Sequence, residues 1–274
     1  MFEKFPKMRP PLPREIQDIY SAHYKSNREG QTAASSLAQR MESWLHRQVA
    51  SDVANLQSSA KITLELGAGT LNQLRYEPTI GAYDIVEPFT ELYKNSPLLG
   101  KVRNIYSDIS KVPSSYAYDR ITSIATLEHV CNLPEVIARS GLLLADNGVL
   151  RASVPSEGTL LWTLGWKLTT GLEFKLRHRL DYGLLMKHEH VNTAKEIEEV
   201  LEYFFKEIKC KVFGLTKSIS LYRYYECRNP RVDRCREFSR TPGKRQRKAT
   251  GSGLANCINE DACVPEQSDR VRLG

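Results

Sequence analysis

Between residues 58 and 228 short apolar runs alternate with longer stretches in which apolar positions recur every three or four residues, the pattern of parallel β-α-β units. The runs predict strands near 61–66, 82–87, 102–106, 119–125 and 148–154, with helices between them. Asn132-Leu-Pro134-Glu135 predicts a helix with proline in its first turn, and Asp146-Asn-Gly148 is expected to end it. Thr193-Ala-Lys-Glu196 reads as a capping box that opens a helix over 194–204. Two further runs, 208–213 and 220–227, are joined by a short connection and predict an antiparallel pair. The expected fold class is α/β: a seven-stranded, doubly wound, Rossmann-like sheet whose last strand is antiparallel, with N-terminal helices and a disordered C-terminal tail.

The flanks read differently. Residues 1–57 start with a proline-rich segment and predict helices near 14–25 and 35–55. In the second helix Leu37, Met41, Trp44, Leu45 and Val49 recur at helical spacing, so it is expected to cover the core or a ligand. Residues 159–190 form an insertion ahead of the last helix. Residues 229–274 hold ten Lys/Arg and six Asp/Glu, so they supply much of the net charge of +7. They show no apolar periodicity and are expected to be a solvated, disordered tail. No specific nucleic-acid partner is expected, because no basic groove is readable across 58–228. No uncharged run approaches the roughly 18 residues of a membrane span, and the N-terminus lacks the apolar core of a signal peptide, so a cytoplasmic protein is expected. The six cysteines include no Cys-x-x-Cys pair and are expected to be free thiols.

Candidate chemistry starts at the first strand, Ile62-Thr-Leu-Glu-Leu-Gly-Ala-Gly69. An apolar run closing on Glu65-x-Gly67-x-Gly69 describes a buried strand entering a turn where the backbone takes positive φ and a ligand can lie on the peptide groups. Glu87 follows Gly67 by twenty residues at the end of the second strand, a separation that suits a carboxylate accepting bonds from ribose hydroxyls. Together they read as a site for a nucleoside-containing cofactor. A dinucleotide fingerprint wants a third glycine where Asn72 stands, so a pyrophosphate ligand is disfavoured.

Glu65-Leu-Gly-Ala-Gly-Thr70, Val86-Glu87-Pro88, Ser107-Asp108-Ile109 and Thr126-Leu127-Glu128-His129 occur in that order. In them the chain resembles class I S-adenosylmethionine-dependent methyltransferases of the Leu-Glu-His type, over about residues 58–227. The resemblance implies S-adenosylmethionine as cofactor, its amino-acid part held by the turn from Glu65 through Gly67, Ala68 and Gly69. It also implies the ribose on Glu87, the adenine against Asp108 and Ile109, and Thr126 beside the cofactor. Asp108 also suits a helix cap at a strand end.

A proton acceptor is expected among His129, His188 and His190, because histidine accepts a proton at neutral pH without unusual burial. Related enzymes that bind a divalent metal carry a further glutamate where this chain has Ala125. A divalent metal is therefore not expected; any such site would include Glu128 and His129, with His188 or His190 joining them. The 159–190 insertion sets Trp162, Trp166 and Phe174 among Lys167, Lys175, Arg177, Arg179 and Lys187, which suits either a sugar substrate or a lid packing Leu160, Leu161, Leu164 and Leu168 onto the core. By resemblance to methyltransferases of bacterial glycan clusters, the expected acceptor is a sugar hydroxyl of a glycan, glycolipid or nucleotide sugar. A small aromatic, quinone or amine acceptor is the alternative, and a noncatalytic methyltransferase-like binding protein is a third reading.

Overall fold

The computed structural model describes residues 2–17, 19, 36–55, 59–78, 81–168 and 170–240. Its strands are β1 (Thr63–Leu66), β2 (Tyr83–Val86), β3 (Asn104–Tyr106), β4 (Tyr118–Ile124), β5 (Leu144–Pro155), β6 (Phe205–Gly214) and β7 (Ser220–Pro230). They form one seven-stranded sheet in the order β3-β2-β1-β4-β5-β7-β6. β1 to β5 run parallel, and β7 is antiparallel to both β5 and β6. The order reverses between β1 and β4, which sets the carboxyl ends of these strands around a crevice.

The helices are α1 (Ser36–Ala50), α2 (Thr90–Tyr93), α3 (Leu133–Leu143), α4 (Leu160–Leu168), α5 (Thr170–His178), α6 (Tyr182–Glu189), α7 (Ala194–Phe204) and α8 (Val232–Arg240). α3 and α7 press Val136, Ile137, Ile197 and Leu201 against Leu66, Ile121, Leu150 and Ala152 of the sheet. At the start of α7 the Thr193 hydroxyl accepts from the Glu196 N–H while the Glu196 carboxylate accepts from the Thr193 N–H, so the expected capping box is formed.

α1 crosses the other face and is fastened by two arginines that the hydrophobic pattern hides inside strands. Arg151 donates from Nε to Val49 O at 2.8 Å and from Nη2 to Gln48 O at 2.9 Å. Arg120 donates to Val49 O at 3.2 Å and pairs with Glu77 at 2.9 Å, with both side chains fully enclosed. The last carbonyls of a helix have no partner inside it, so cations placed there satisfy those acceptors and the negative end of the helix dipole.

Three expectations change. The helix after Pro134 ends at Leu143, and Asp146-Asn-Gly148 belongs to β5. The pairing steps from Tyr118↔Leu144 to Arg120↔Val149, a bulge that absorbs the residues expected to cap the helix. The folded chain also runs past 228: α8, expected within the disordered tail, packs on α3. It buries Cys235 and stacks Phe238 edge-on against Phe2 and Phe204 at 5.5 and 5.6 Å. Its pattern is too short for periodicity to stand out beside five charged residues. Cys210, Cys227 and Cys235 are free thiols, whereas Cys131 is disulfide-bonded, against the expectation for it. The helix expected over 14–25 is helical at 14–17, and residue 18 and residues 20–35 lie outside the described residues, as does the tail from 241.

Candidate active site

A cavity of about 480 Å³ opens at the carboxyl ends of β1, β2 and β4. Its floor is the glycine turn. Gly67 and Gly69 take φ of +69° and +51°, and a Cβ on Gly67 would stand 2.4 Å from the Thr126 side chain. Only glycine fits there, since the site lacks both the conformational freedom and the space for a side chain.

Glu87 ties this turn to β2. Its Oε2 accepts from the Gly69 N–H at 2.8 Å and its Oε1 from the Phe89 N–H at 3.0 Å. Glu65 also lines the cavity, 2% exposed, with its Oε2 accepting from the Tyr83 hydroxyl at 2.9 Å. Burial, reinforced by the charges of Glu77 and Glu87 and opposed by the Tyr83 bond, pushes the Glu65 carboxyl up to about 8. Among the described residues it forms no ion pair with a cation. A buried carboxyl of this kind suits a positively charged ligand group.

α1 closes the cavity with Met41, Glu42, Leu45 and His46. His46 stacks on Tyr76 at 4.8 Å and bonds Gln73 through Nδ1 at 2.8 Å, and burial lowers its pKa.

The opposite wall is made where β4 ends. Ala125 takes φ +48°, unusual for a residue with a Cβ, and turns the chain into the single turn Leu127–His129. His129 reaches the cavity. Its Nδ1 is held by Glu189, at 2.9 Å from the carbonyl and 3.2 Å from Oε2, and its Nε2 lies 3.8 Å from Glu128 Oε1. His190 meets His129 edge-on at 4.9 Å, stacks on Trp162 at 6.2 Å, and bonds Glu157 Oε2 through Nδ1 at 2.8 Å. Burial works against the His190 cation, but the Glu157 bond and the Glu128, Glu157 and Glu189 charges outweigh it and raise its pKa. Glu128, His129 and His190 each bring one ligand atom within 4.8 Å of the others.

Of the residues singled out in the sequence, Glu65, Gly67, Ala68, Gly69, Glu87, Thr126 and His129 line the cavity. His190 stands behind His129. His188 is directed elsewhere: it is buried against the N-terminal segment, with Nδ1 2.7 Å from Pro10 O. Asp108 and Ile109 are not part of the cavity lining, and Asp108 caps the following turn by accepting from the Ser110 N–H at 2.8 Å.

Several residues of the site were not singled out, among them Arg9, Glu157, Glu42, His46 and Tyr222. Arg9 lines the cavity and donates to His188 O and His129 O, both at 2.9 Å, clasping the two histidine loops. Glu157 and Glu189 orient the two imidazoles. An arginine in a proline-rich leader and a glutamate such as Glu157 outside any motif give no local pattern, because long-range folding alone brings them in, whereas Glu189 lies between the candidate histidines His188 and His190.

No protein-family model and no curated protein matches the sequence. Solved structures do resemble it. The plantazolicin methyltransferase BpumL in complex with SAH superposes with a TM-score of 0.52 at 13% identity, over 78% of this chain and 92% of that one. The CurJ carbon methyltransferase superposes with a TM-score of 0.50 at 18% identity, over 74% of this chain and 57% of that one, so this chain spans little more than half of its length. These likenesses establish the fold alone, which this chain shares with both of those methyltransferases.

Proposed function

We propose that the chain is an S-adenosylmethionine-dependent methyltransferase that O-methylates a sugar hydroxyl of a glycan, glycolipid or nucleotide sugar. The carrying observation is Glu65: a buried carboxyl, with no cation paired to it among the described residues, on the floor of a cavity whose glycine turn admits no side chain. When bound, the cofactor supplies an electrophilic methyl group on a sulfonium. Glu65 receives the ammonium, and the backbone from Gly67 to Gly69 cradles the amino-acid part. Each Glu87 oxygen that accepts one backbone N–H keeps a further lone pair for a ribose hydroxyl. Asp108 and Ile109 take no part in this reading, and neither does His188.

His129 faces the cavity and is the group that takes the acceptor proton. Glu189 fixes its ring, and the Glu128 carboxylate, 3.8 Å from Nε2, faces the positive charge that forms when the proton arrives. Trp162 and Tyr222, edge-on at 5.3 Å, present aromatic faces beside the His190–Glu157 pair, which suits the C–H face of a sugar. The charged lining from Arg9, Glu42 and Glu189 favours a polar acceptor over an aromatic or quinone one.

Calorimetry tests the cofactor. Micromolar binding of S-adenosylmethionine, lost in Gly67→Val, is the expected result; no binding to the wild type would sink the reading. A screen of sugar acceptors with labelled cofactor tests the rest, with turnover expected to fall about 10²–10⁴-fold in His129→Ala at unchanged cofactor affinity.

A second reading rests on the Glu128, His129 and His190 cluster. Both imidazoles have Nδ1 held by a carboxylate, the arrangement that orients histidine ligands, and the donor set fits a divalent transition metal. Chelators that abolish activity, with Mn²⁺ or Zn²⁺ restoring it, would favour this reading over a metal-free histidine base.

A further inference from the structure

Thirteen large hydrophobic side chains are exposed among the described residues, and seven of them fall within residues 160–184. In α4, Leu160, Leu161, Leu164 and Leu168 share one face about 100° wide, and all four point to water, with Leu160 and Leu168 exposed by 73% and 70%. The opposite face holds the helix in place through half-buried Trp162 and Trp166, and Trp162 Nε1 donates to Glu157 Oε2 at 2.5 Å. On α5 the same division recurs: Phe174 is buried, while Leu172 and Leu176 on either side of it are 50% and 76% exposed. Leu184 adds a further exposed leucine on α6. The leucines are therefore not a lid packed on the core. Their exposure is the unsolved half of an amphipathic design, and monomeric proteins rarely leave so much apolar surface in water without a partner.

The charges around them narrow the choice of partner. Between 160 and 187 the chain carries five Lys/Arg against two acidic residues, and Lys167, Lys175, Arg177, Arg179 and Lys187 are all exposed. A second copy of this face would bring those cations against their own kind. The chain has little of its own to cover the leucines. Residues 20–35 contain no Leu, Ile, Val, Phe, Met or Trp, and residues 241–274 scatter five aliphatics among polar and charged residues. Leucines that enter the headgroup boundary and cations that meet lipid phosphates form the composition of a helix lying in a membrane interface. No described helix is long and apolar enough to cross a membrane, which agrees with lying on the surface rather than spanning it.

We propose that α4, α5 and α6 form a platform that docks the protein on an anionic lipid surface. The platform adjoins the cavity, since Trp162 of α4 packs on Tyr222, a lining residue. Docking brings the cavity beside the headgroups.

The test is sedimentation of the full chain with phosphatidylcholine vesicles, with and without about 30% phosphatidylglycerol, at about 0.1 and 0.5 M salt, where screening lengths differ roughly twofold. The expected result is binding to the anionic vesicles that weakens at high salt. Leu160→Ser/Leu168→Ser/Leu176→Ser should reduce it at least tenfold, while the melting temperature and S-adenosylmethionine affinity stay unchanged. Lys175→Gln/Arg177→Gln/Arg179→Gln should remove the preference for anionic lipid. Three outcomes would overturn the proposal: no binding to either vesicle; binding insensitive to the leucine variant, which would place it elsewhere by charge alone; or a lipid-free dimer that the leucine variant dissociates, which would assign the face to a second copy. None of these results depends on methyl transfer, so docking and catalysis fail separately.

Discussion

The floor of the cavity and the 159–190 insertion solve opposite problems. Around β1 and β2 the charged groups that enter the core are tied to partners: Glu87 accepts from two backbone N–H groups, Glu65 from Tyr83, and Arg120 is locked between Glu77 and the end of α1. In α4 to α6 the polar groups reach water easily, and it is the leucines that have no place to go. A site that must position a ligand is built from satisfied, desolvated polar contacts. A surface that meets a partner leaves its apolar area uncovered until that partner arrives. Substitutions should therefore be costly in the first region and nearly silent for folding in the second.

The largest effect is expected at Arg120. Arg120→Met leaves Glu77 buried without its cation and removes one of the two donors to the Val49 carbonyl, the other being Arg151, at a cost of about 3–5 kcal/mol. Urea unfolding checks this, and a loss below about 1 kcal/mol would mean that the α1 clamp is not a stability element. Next comes Glu87→Gln. Its amide keeps one acceptor where the carboxylate serves two N–H groups and a ribose, so cofactor affinity should fall by about 1.5–3 kcal/mol at little change in fold. Calorimetry on the folded variant decides it.

A subtler effect concerns pH. The Glu65 carboxyl sits at about 8 without ligand, and a ligand ammonium requires its ionised form. Below pH 8 binding must therefore expel a proton, so affinity should rise by up to tenfold per pH unit from pH 6 toward 8. Titrations in buffers of different ionisation enthalpy should register up to one proton released near pH 6.5. An affinity flat across that range would show that Glu65 is already ionised or meets no cation. The smallest effect is expected in the insertion: Leu168→Ser should shift stability by no more than about 0.5 kcal/mol, whereas a large loss would mean that the leucines are packed after all.

The sequence by itself determined the strand run, the antiparallel pair 208–213 and 220–227, the capping box at Thr193 and the glycine turn with its downstream Glu87. These features are local: they follow from side-chain period, from caps that join residues three apart, and from the need for positive φ. Only the tertiary structure decided the rest. It turned His188 toward Pro10 and brought His190 to His129, although only Glu189 separates His188 from His190 in the chain. It made Asp108 a cap, recruited Arg9 from the leader, and sent the leucines of 160–176 outward when their spacing suited burial equally well. The reason is physical. An amphipathic period states that a helix has two faces, and a histidine states that a proton can be held, but which face is buried and which partner is met depend on contacts between residues far apart in the chain, 60 positions for His129 and Glu189 and 178 for Pro10 and His188.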